Sequence, residues 1–557
     1  MNEWLLPLGV LSAAIALSVP LGRYMAWAMQ PGRMWRARQG FERAAGKLFG
    51  SAADTEQSWQ GYALSMLLFN LAMFTLAYLI FVSQGVLPLN PDGKAGLEPS
   101  LAFNTAASFT ANTNLQHYSG EQSLSYFTQL FSIMWLQFVS AATGIAAVVA
   151  LCRGLAGSAT LGNFYRDVWR ATVLLLLPLA MIVAPLLVMT GVPMTLQGAA
   201  VAHTLEGLTQ IIARGPVAAV VAIKQLGTNG GGFFGPNSTH PFENPGFVSN
   251  IVENVAILLI PMATVWMFGR MTGRRRHATV IFAVMLTLFI GLGAAAVVTE
   301  QAPTRAFADL PVAEAPNLEG KELRFGGAAG PLWAVSTTAT SNGSVNAMHD
   351  SLNPLTGLMP MIGMWLNVTF GGVGVGFINL FIFIIVAVFL AGLMVGRTPE
   401  YLTRKVEARE MKLATLALLA HPLFIVGGTA LFVVTGWGAA TTANPGSHGL
   451  SEIVYEFSSA AANNGSGFEG LGDNTVAWNI ATGVVMLLAR FIPIIAPLAI
   501  VASLAAKRSA PESAGTFRVD TPLFAAILLG TVLIVGALLF MPLGVLGPMA
   551  EHLAGSA

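Results

Sequence analysis

Apolar stretches long enough to cross a bilayer recur from one end of this 557-residue chain to the other. A hydrocarbon core of roughly 30 Å takes about 20 helical residues. In lipid every backbone amide must be satisfied within the protein, so such stretches fold as helices. Ten spans are expected, near 4–28, 61–84, 130–152, 171–191, 250–269, 278–298, 371–395, 413–436, 476–503 and 522–548. The fold class that follows is an all-α membrane protein. Composition agrees: 10% of residues are charged, against about 25% in an ordinary soluble domain. A net charge of +1 creates no field for nucleic acid, and membrane lipids are the expected surroundings. The single cysteine, Cys152, excludes a disulfide framework and a cysteine-based zinc site. Glu3 precedes the first apolar run and Arg23 follows it, which reverses the charge order of a secretory signal.

Positive charge gathers between the spans. Of the 28 Lys and Arg, 21 fall in five loops. The first loop carries Arg23, Arg33, Arg36, Arg38, Arg43 and Lys47, and the second Arg153, Arg166 and Arg170. The third carries Arg270, Arg274, Arg275 and Arg276, and the fourth Arg397, Arg404, Lys405, Arg409 and Lys412. Lys507, Arg508 and Arg518 make the fifth. Two spans separate consecutive basic loops, so all five can share one side. The positive-inside rule places them in the cytoplasm and both termini outside.

Between basic loops the same unit recurs four times: span, outer loop, span. Each outer loop ends in small, hydroxylated residues and an Asn/Gly cluster. The clusters are Asn112-Thr113-Asn114, Thr228-Asn229-Gly230-Gly231-Gly232, Ser341-Asn342-Gly343 and Asn463-Asn464-Gly465. Markers at Asn114, Gly230, Gly343 and Gly465 are spaced by 116, 113 and 122 residues. The division read from this is a first helix and basic loop over 1–50, repeats over 51–170, 171–277, 278–412 and 413–518, and a last helix over 519–557. Internal repeats of this kind are common in membrane transport proteins.

A dehydrated cation needs oxygens in place of its water, and rings of backbone carbonyls supply them for K+. Four loops around one axis can build such rings from a single chain. Glycine turns carbonyls inward without a Cβ clash, hydroxyls add ligands, and Asn side chains brace the loop from behind. Residues 99–111, 330–340 and 449–462 are long enough to be half-helices whose negative ends face the ion. Carboxylates are absent from all four clusters, which favours a monovalent ion. Gln116 is expected to support the rim.

Two further features lie within or beside spans. Pro354 to Val395 is too long for one crossing, and Gly371, Gly372, Gly374 and Gly376 in its middle point to a break, either a gate or a close helix contact. The glycine spacing imitates a dinucleotide motif, but no strand precedes it. Arg490 is the one cation well inside a span, 17 positions from the next, Lys507. Buried intramembrane charges are usually functional, so Arg490 is expected on the gate or pore. No Walker A or Asp-Lys-Thr-Gly phosphorylation motif is present, and His203, His240, His349, His421 and His448 are dispersed without metal-ligand spacing. Any ATP-driven step therefore falls to another chain, with no nucleotide bound here and no catalytic residue. Asn237-Ser238-Thr239 matches a glycosylation acceptor by chance.

The clusters and their flanks resemble the potassium-binding A subunit family of the Kdp potassium-importing P-type ATPases, in the potassium transporter superfamily. The resemblance is carried by Asn112-Thr113-Asn114 with Gln116 and Tyr118-Ser119-Gly120-Glu121, by Leu226 to Phe234, and by His240-Pro241-Phe242-Glu243-Asn244-Pro245. Glu319-Gly320-Lys321-Glu322, Arg324-Phe325-Gly326, Met348-His349-Asp350-Ser351 and Gly396 to Leu402 extend it. It implies high-affinity potassium uptake in a bacterial plasma (inner) membrane complex with a P-type ATPase B subunit, a single-span C subunit and a small F peptide. It also implies ions leaving sideways toward the B subunit. Asn342 stands where the family often has Cys, and Asn367 where it often has Glu. A self-sufficient Trk- or Ktr-type channel-transporter shares the fourfold pore but not these flanks. An ion-coupled secondary transporter of a larger solute is a more distant reading.

Overall fold

The computed structural model describes residues 3–30, 36–303, 316–509 and 517–554. Met1, Arg33 and Ala557 lie outside them. Ten helices are long and apolar enough to span a membrane: Leu5–Met29, Trp59–Val86, Tyr126–Leu155, Phe164–Met189, Phe247–Met271, Arg275–Glu300, Val375–Met394, Ala408–Thr435, Val476–Ala506 and Pro522–Ala554. They match the ten expected spans in number and order. Their starts are written locally by capping. The Ser58 and Thr475 hydroxyls accept from the amides of Gly61 and Trp478, and the Asn163 side chain accepts from Arg166.

Burial sorts the spans into an inner and an outer set. Of the most apolar window of each, 83% is buried in Tyr126–Leu155, 72% in both Phe247–Met271 and Val375–Met394, and 61% in Val476–Ala506. Trp59–Val86, Phe164–Met189 and Ala408–Thr435 are buried over only 22–28% of theirs and turn leucine-rich faces outward. In water such faces would be a liability; against acyl chains they cost nothing. Leu5–Met29 packs along Phe247–Met271. Gly22 permits the approach, because a Cβ there would overlap the Ala263 carbonyl and the Trp266 Cβ. The last helix leans on the broken segment, with Phe540 stacked on Trp365 at 5.6 Å.

Between the two spans of each unit a short buried helix re-enters the fold: Pro99–Thr110, Val217–Leu226, Ala329–Ala339 and Gly446–Ala462. Three fall where the sequence placed half-helices. The second, Val217–Leu226, was not anticipated. It follows a two-stranded hairpin, Ala200–His203 with Thr209–Ile212, and has no side-chain cap to announce it. The first is announced plainly: Pro99 opens it and the Glu98 carboxylate accepts from the Ser100 and Leu101 amides at 2.8 and 3.0 Å. The break expected at the glycines is present, but it displaces the span start. Pro354–Leu366 and Val375–Met394 are separate helices, so residues 371–374 belong to the connection and not to the span. The first basic loop also contains a helix not foreseen, Arg36–Phe49, tied to the second basic loop by Glu42, which meets Arg170 Nε at 2.8 Å.

Candidate functional site

The four short helices end at the four Asn/Gly clusters, and the clusters meet. Each has the same backbone signature. Left-handed φ values occur at Asn112 and Asn114 (61° and 59°), Thr228 and Gly230 (45° and 84°), Ser341 and Gly343 (48° and 92°), and Asn463 and Gly465 (52° and 105°). The residues between them, Thr113, Asn229, Asn342 and Asn464, have ordinary φ. Each of these four donates its amide five residues back, to the carbonyl of Ser108, Lys224, Thr337 or Ser459, at 2.8–2.9 Å. Left-handed backbone is costly for non-glycine residues, about 1–3 kcal/mol each. It persists here in all four loops because the surrounding contacts enforce it.

The loops form a closed ring with first, second, third and fourth in order. A Cβ at Gly230 would overlap the Asn342 carbonyl, one at Gly343 the Asn464 carbonyl, and one at Gly465 the Thr113 carbonyl. At three seams glycine is thus required for its φ and for the close approach of the next backbone. The fourth seam, between first and second loops, uses side chains instead. Asn112 Nδ2 donates to the Thr228 carbonyl at 2.9 Å, and Asn229 Nδ2 donates to Asn112 Oδ1 at 2.7 Å. Gln116 pairs with Gly232 twice, its Oε1 accepting from the Gly232 amide at 2.8 Å and its Nε2 donating to the Gly232 carbonyl at 3.1 Å. Gly231 packs against Phe109 and Asn114.

The middle asparagines brace neighbours. Asn342 Nδ2 donates to the Lys224 carbonyl at 3.2 Å, and Asn464 Nδ2 to the Thr337 carbonyl at 2.9 Å. The Asn342 and Asn464 carboxamide oxygens take the amides of Ser344 and Ser466 at 2.9 and 3.0 Å. Several bracing residues were missed by sequence reasoning. Gln137 Nε2 donates to the Gly231 carbonyl at 3.1 Å, Ser140 Oγ to Asn112 Oδ1 at 2.8 Å, and Asn237 Nδ2 to the Gly230 carbonyl at 2.6 Å. Thr337 and Ser459 hydroxyls accept from the Gly343 and Gly465 amides at 2.8 and 2.9 Å. Lys224, fully buried, is held by Glu243, Ser238 and Asn237. Asn237 is therefore occupied inside the fold, consistent with its glycosylation motif being chance.

Beneath the ring runs the break. Asn367, Phe370, Gly371 and Gly374 all have left-handed φ. The Gly371 amide donates to the Ala339 carbonyl at 2.8 Å, and the Val373 amide to Thr228 Oγ1 at 2.9 Å. Gly372 lies under Ser341, whose hydroxyl donates to Asn367 Oδ1 at 2.9 Å. Asn367 Nδ2 reaches the Ala462 carbonyl at 3.3 Å. The eight-residue connection thus touches the second, third and fourth segments from below. Gly374 meets the Gly144 carbonyl so closely that no Cβ fits. Arg490 lies beside Gly144, 2% exposed, its Nη2 donating to the Ser140 carbonyl at 3.2 Å. No carboxylate stands within ion-pair distance of it among the described residues. A small cavity opens there, lined in part by Ser341, Asn367, Gly372, Asn463 and Arg490.

Fold and site together define a multi-pass, all-α membrane protein with a ring of strained polar loops buried among its inner helices. The family model of the potassium-transporting ATPase A subunit matches residues 8–553, and the chain belongs to that family. Membership assigns it to potassium transport, as the transport subunit of the Kdp system, and makes K+ the transported ion.

Proposed function

We propose that the four loops are the potassium filter, built from Asn112–Asn114, Thr228–Gly232, Ser341–Gly343 and Asn463–Gly465. The observation that carries this is the fourfold recurrence of left-handed, ordinary and left-handed φ at the ends of four buried helices. Alternating φ sign turns successive carbonyls toward one side of a strand, the arrangement that replaces a hydration shell. The short helices aim their negative ends at the same place. Gln116 fixes the rim by its two hydrogen bonds to Gly232. Polar backbone at this depth is tolerated where it lines an ion path.

Below the filter, the connection through Gly371, Gly372 and Gly374 acts as the constriction, and Arg490 sets a positive charge beside it that opposes free passage of cations. The energy comes from outside the chain: a P-type ATPase B subunit hydrolyses ATP, with a single-span C subunit and a small F peptide completing the complex in the bacterial inner membrane. Both termini face outside and the basic loops face in, so a tag near Arg274 is reachable only from the cytoplasm. The four-repeat division of the chain goes with this reading. Co-purification in mild detergent should bring down a P-type ATPase, and potassium-stimulated hydrolysis should require it. Nucleotide turnover by the verified, isolated chain would contradict the assignment.

A further inference from the structure

His117 sits three residues beyond Asn114, on the outer limb of the first loop, and is buried. Its Nδ1 is 2.7 Å from Asn479 Oδ1 and its Nε2 is 3.1 Å from Glu456 Oε1. The Asn479 amide nitrogen donates elsewhere, to Ser100 Oγ and Asn474 Oδ1, each at 3.1 Å. The network therefore assigns Oδ1 as the atom facing the imidazole, an acceptor for an Nδ1–H. In the neutral ring this leaves the Nε2 lone pair aimed at a buried carboxylate. Asp473, from the segment after the fourth loop, completes the group, and the ligand atoms of all three residues lie within 4.8 Å of one another. Neither carboxylate pairs with a Lys or Arg among the described residues. Two carboxylates and an imidazole nitrogen converging in a desolvated place need positive charge among them, which a proton on the ring or a metal ion supplies.

We propose that His117, Glu456 and Asp473 bind a divalent transition-metal ion of the zinc type. One imidazole nitrogen with two carboxylate oxygens suits that class, whereas magnesium and calcium take all-oxygen sets. Asn479 fixes the tautomer as an outer partner fixes a metal-ligating histidine. Bonds of about 2.0–2.2 Å in a tetrahedron set ligand atoms roughly 3.4 Å apart, close to the observed 3.1 Å between Nε2 and Oε1. Glu456 and Asp473 balance a dication, Asp473 is only half-buried, and a water would be the fourth ligand. The three ligands come from the first loop, the fourth short helix and the segment after the fourth loop. A bound ion would cross-link the seam where Gly465 meets the Thr113 carbonyl. The site stands independently of the filter reading.

The test uses the purified, tag-free complex, stripped with chelator and dialysed against zinc. Elemental analysis should find about one zinc per copy of this chain, and X-ray absorption should show a nitrogen and oxygen shell without sulfur. His117→Gln and Asp473→Asn should each weaken binding at least tenfold. Asp473→Asn, at a half-buried loop position, keeps the test open if the histidine variant does not assemble. In the unmodified complex, zinc occupancy should fall as pH drops, because protons compete for the same ligands. Absence of stoichiometric zinc, a sulfur shell, or zinc retained equally in the variants would overturn the proposal; the first outcome means that protons alone hold the seam.

Discussion

At the residue scale, the glycines of the ring differ in what they must do, and that difference is measurable. Gly343 combines a φ of 92° with a neighbour's carbonyl where its Cβ would be. Gly467, two residues past the fourth cluster, has ordinary φ and nothing nearer than Glu456 Oε2 at 3.6 Å. Gly343→Ala should raise the potassium concentration for half-maximal ATPase activity of the complex at least about fivefold, as about 1–3 kcal/mol of strain implies. Gly467→Ala should stay within twofold. Equal, small effects would mean that the seam tolerates movement and sets no affinity. Arg490 is the other residue on which the account depends. Arg490→Gln removes a charge that no carboxylate among the described residues offsets, and leaves the cavity below the ring neutral. Potassium moved per ATP should drop by roughly threefold or more, since buried membrane charges of this kind guard ion paths. Unchanged coupling in an assembled variant would make Arg490 a packing residue.

At the scale of elements, the sequence was informative wherever a single segment writes its own structure. Ten apolar runs gave ten helices, and three half-helices fell within a few residues of their expected ends. Val217–Leu226 escaped because ten mostly apolar residues in an outer loop carry no period that separates a short helix from a buried strand. The contacts of Gln137 and Ser140 were illegible for another reason: they join the helix Tyr126–Leu155 to the loop residues Gly231 and Asn112, distant in sequence. The same holds for His448, which looked isolated. Its Nε2 is 2.8 Å from Asp350 Oδ1 and its Nδ1 2.8 Å from Glu551 Oε1, clamping the final helix to the third and fourth segments. Burial alone would lower its pKa, but the hydrogen bonds to Asp350 and Glu551 outweigh it and hold it up to about 10. A folded pKa raised above the unfolded value of about 6.5 gives stability that is complete below pH 6.5. That contribution declines above it and is gone once pH has passed through about 10. Melting of the detergent-solubilised complex should therefore lose stability between pH 6.5 and 10, and His448→Gln should flatten that part of the curve. Parallel profiles for the two proteins would remove the clamp from the account.

At the scale of the molecule, four separated clusters with a common spacing become one ring, because each short helix delivers its loop to the same place. The sequence could suggest the ring from the recurrence of Asn and Gly. It could not show that Gly230, Gly343 and Gly465 each abut the next loop's backbone, or that the fourth seam, between first and second loops, is closed by Asn112 and Gln116 instead. The central claim is that potassium is held among these loops. Rubidium, a heavier ion of similar chemistry, can be located by anomalous diffraction in crystals of the assembled complex grown without potassium. The account predicts rubidium density enclosed by the backbones of 112–114, 228–230, 341–343 and 463–465, displaced when potassium is restored. Rubidium bound elsewhere in this chain, with the space between the four loops empty, would contradict it.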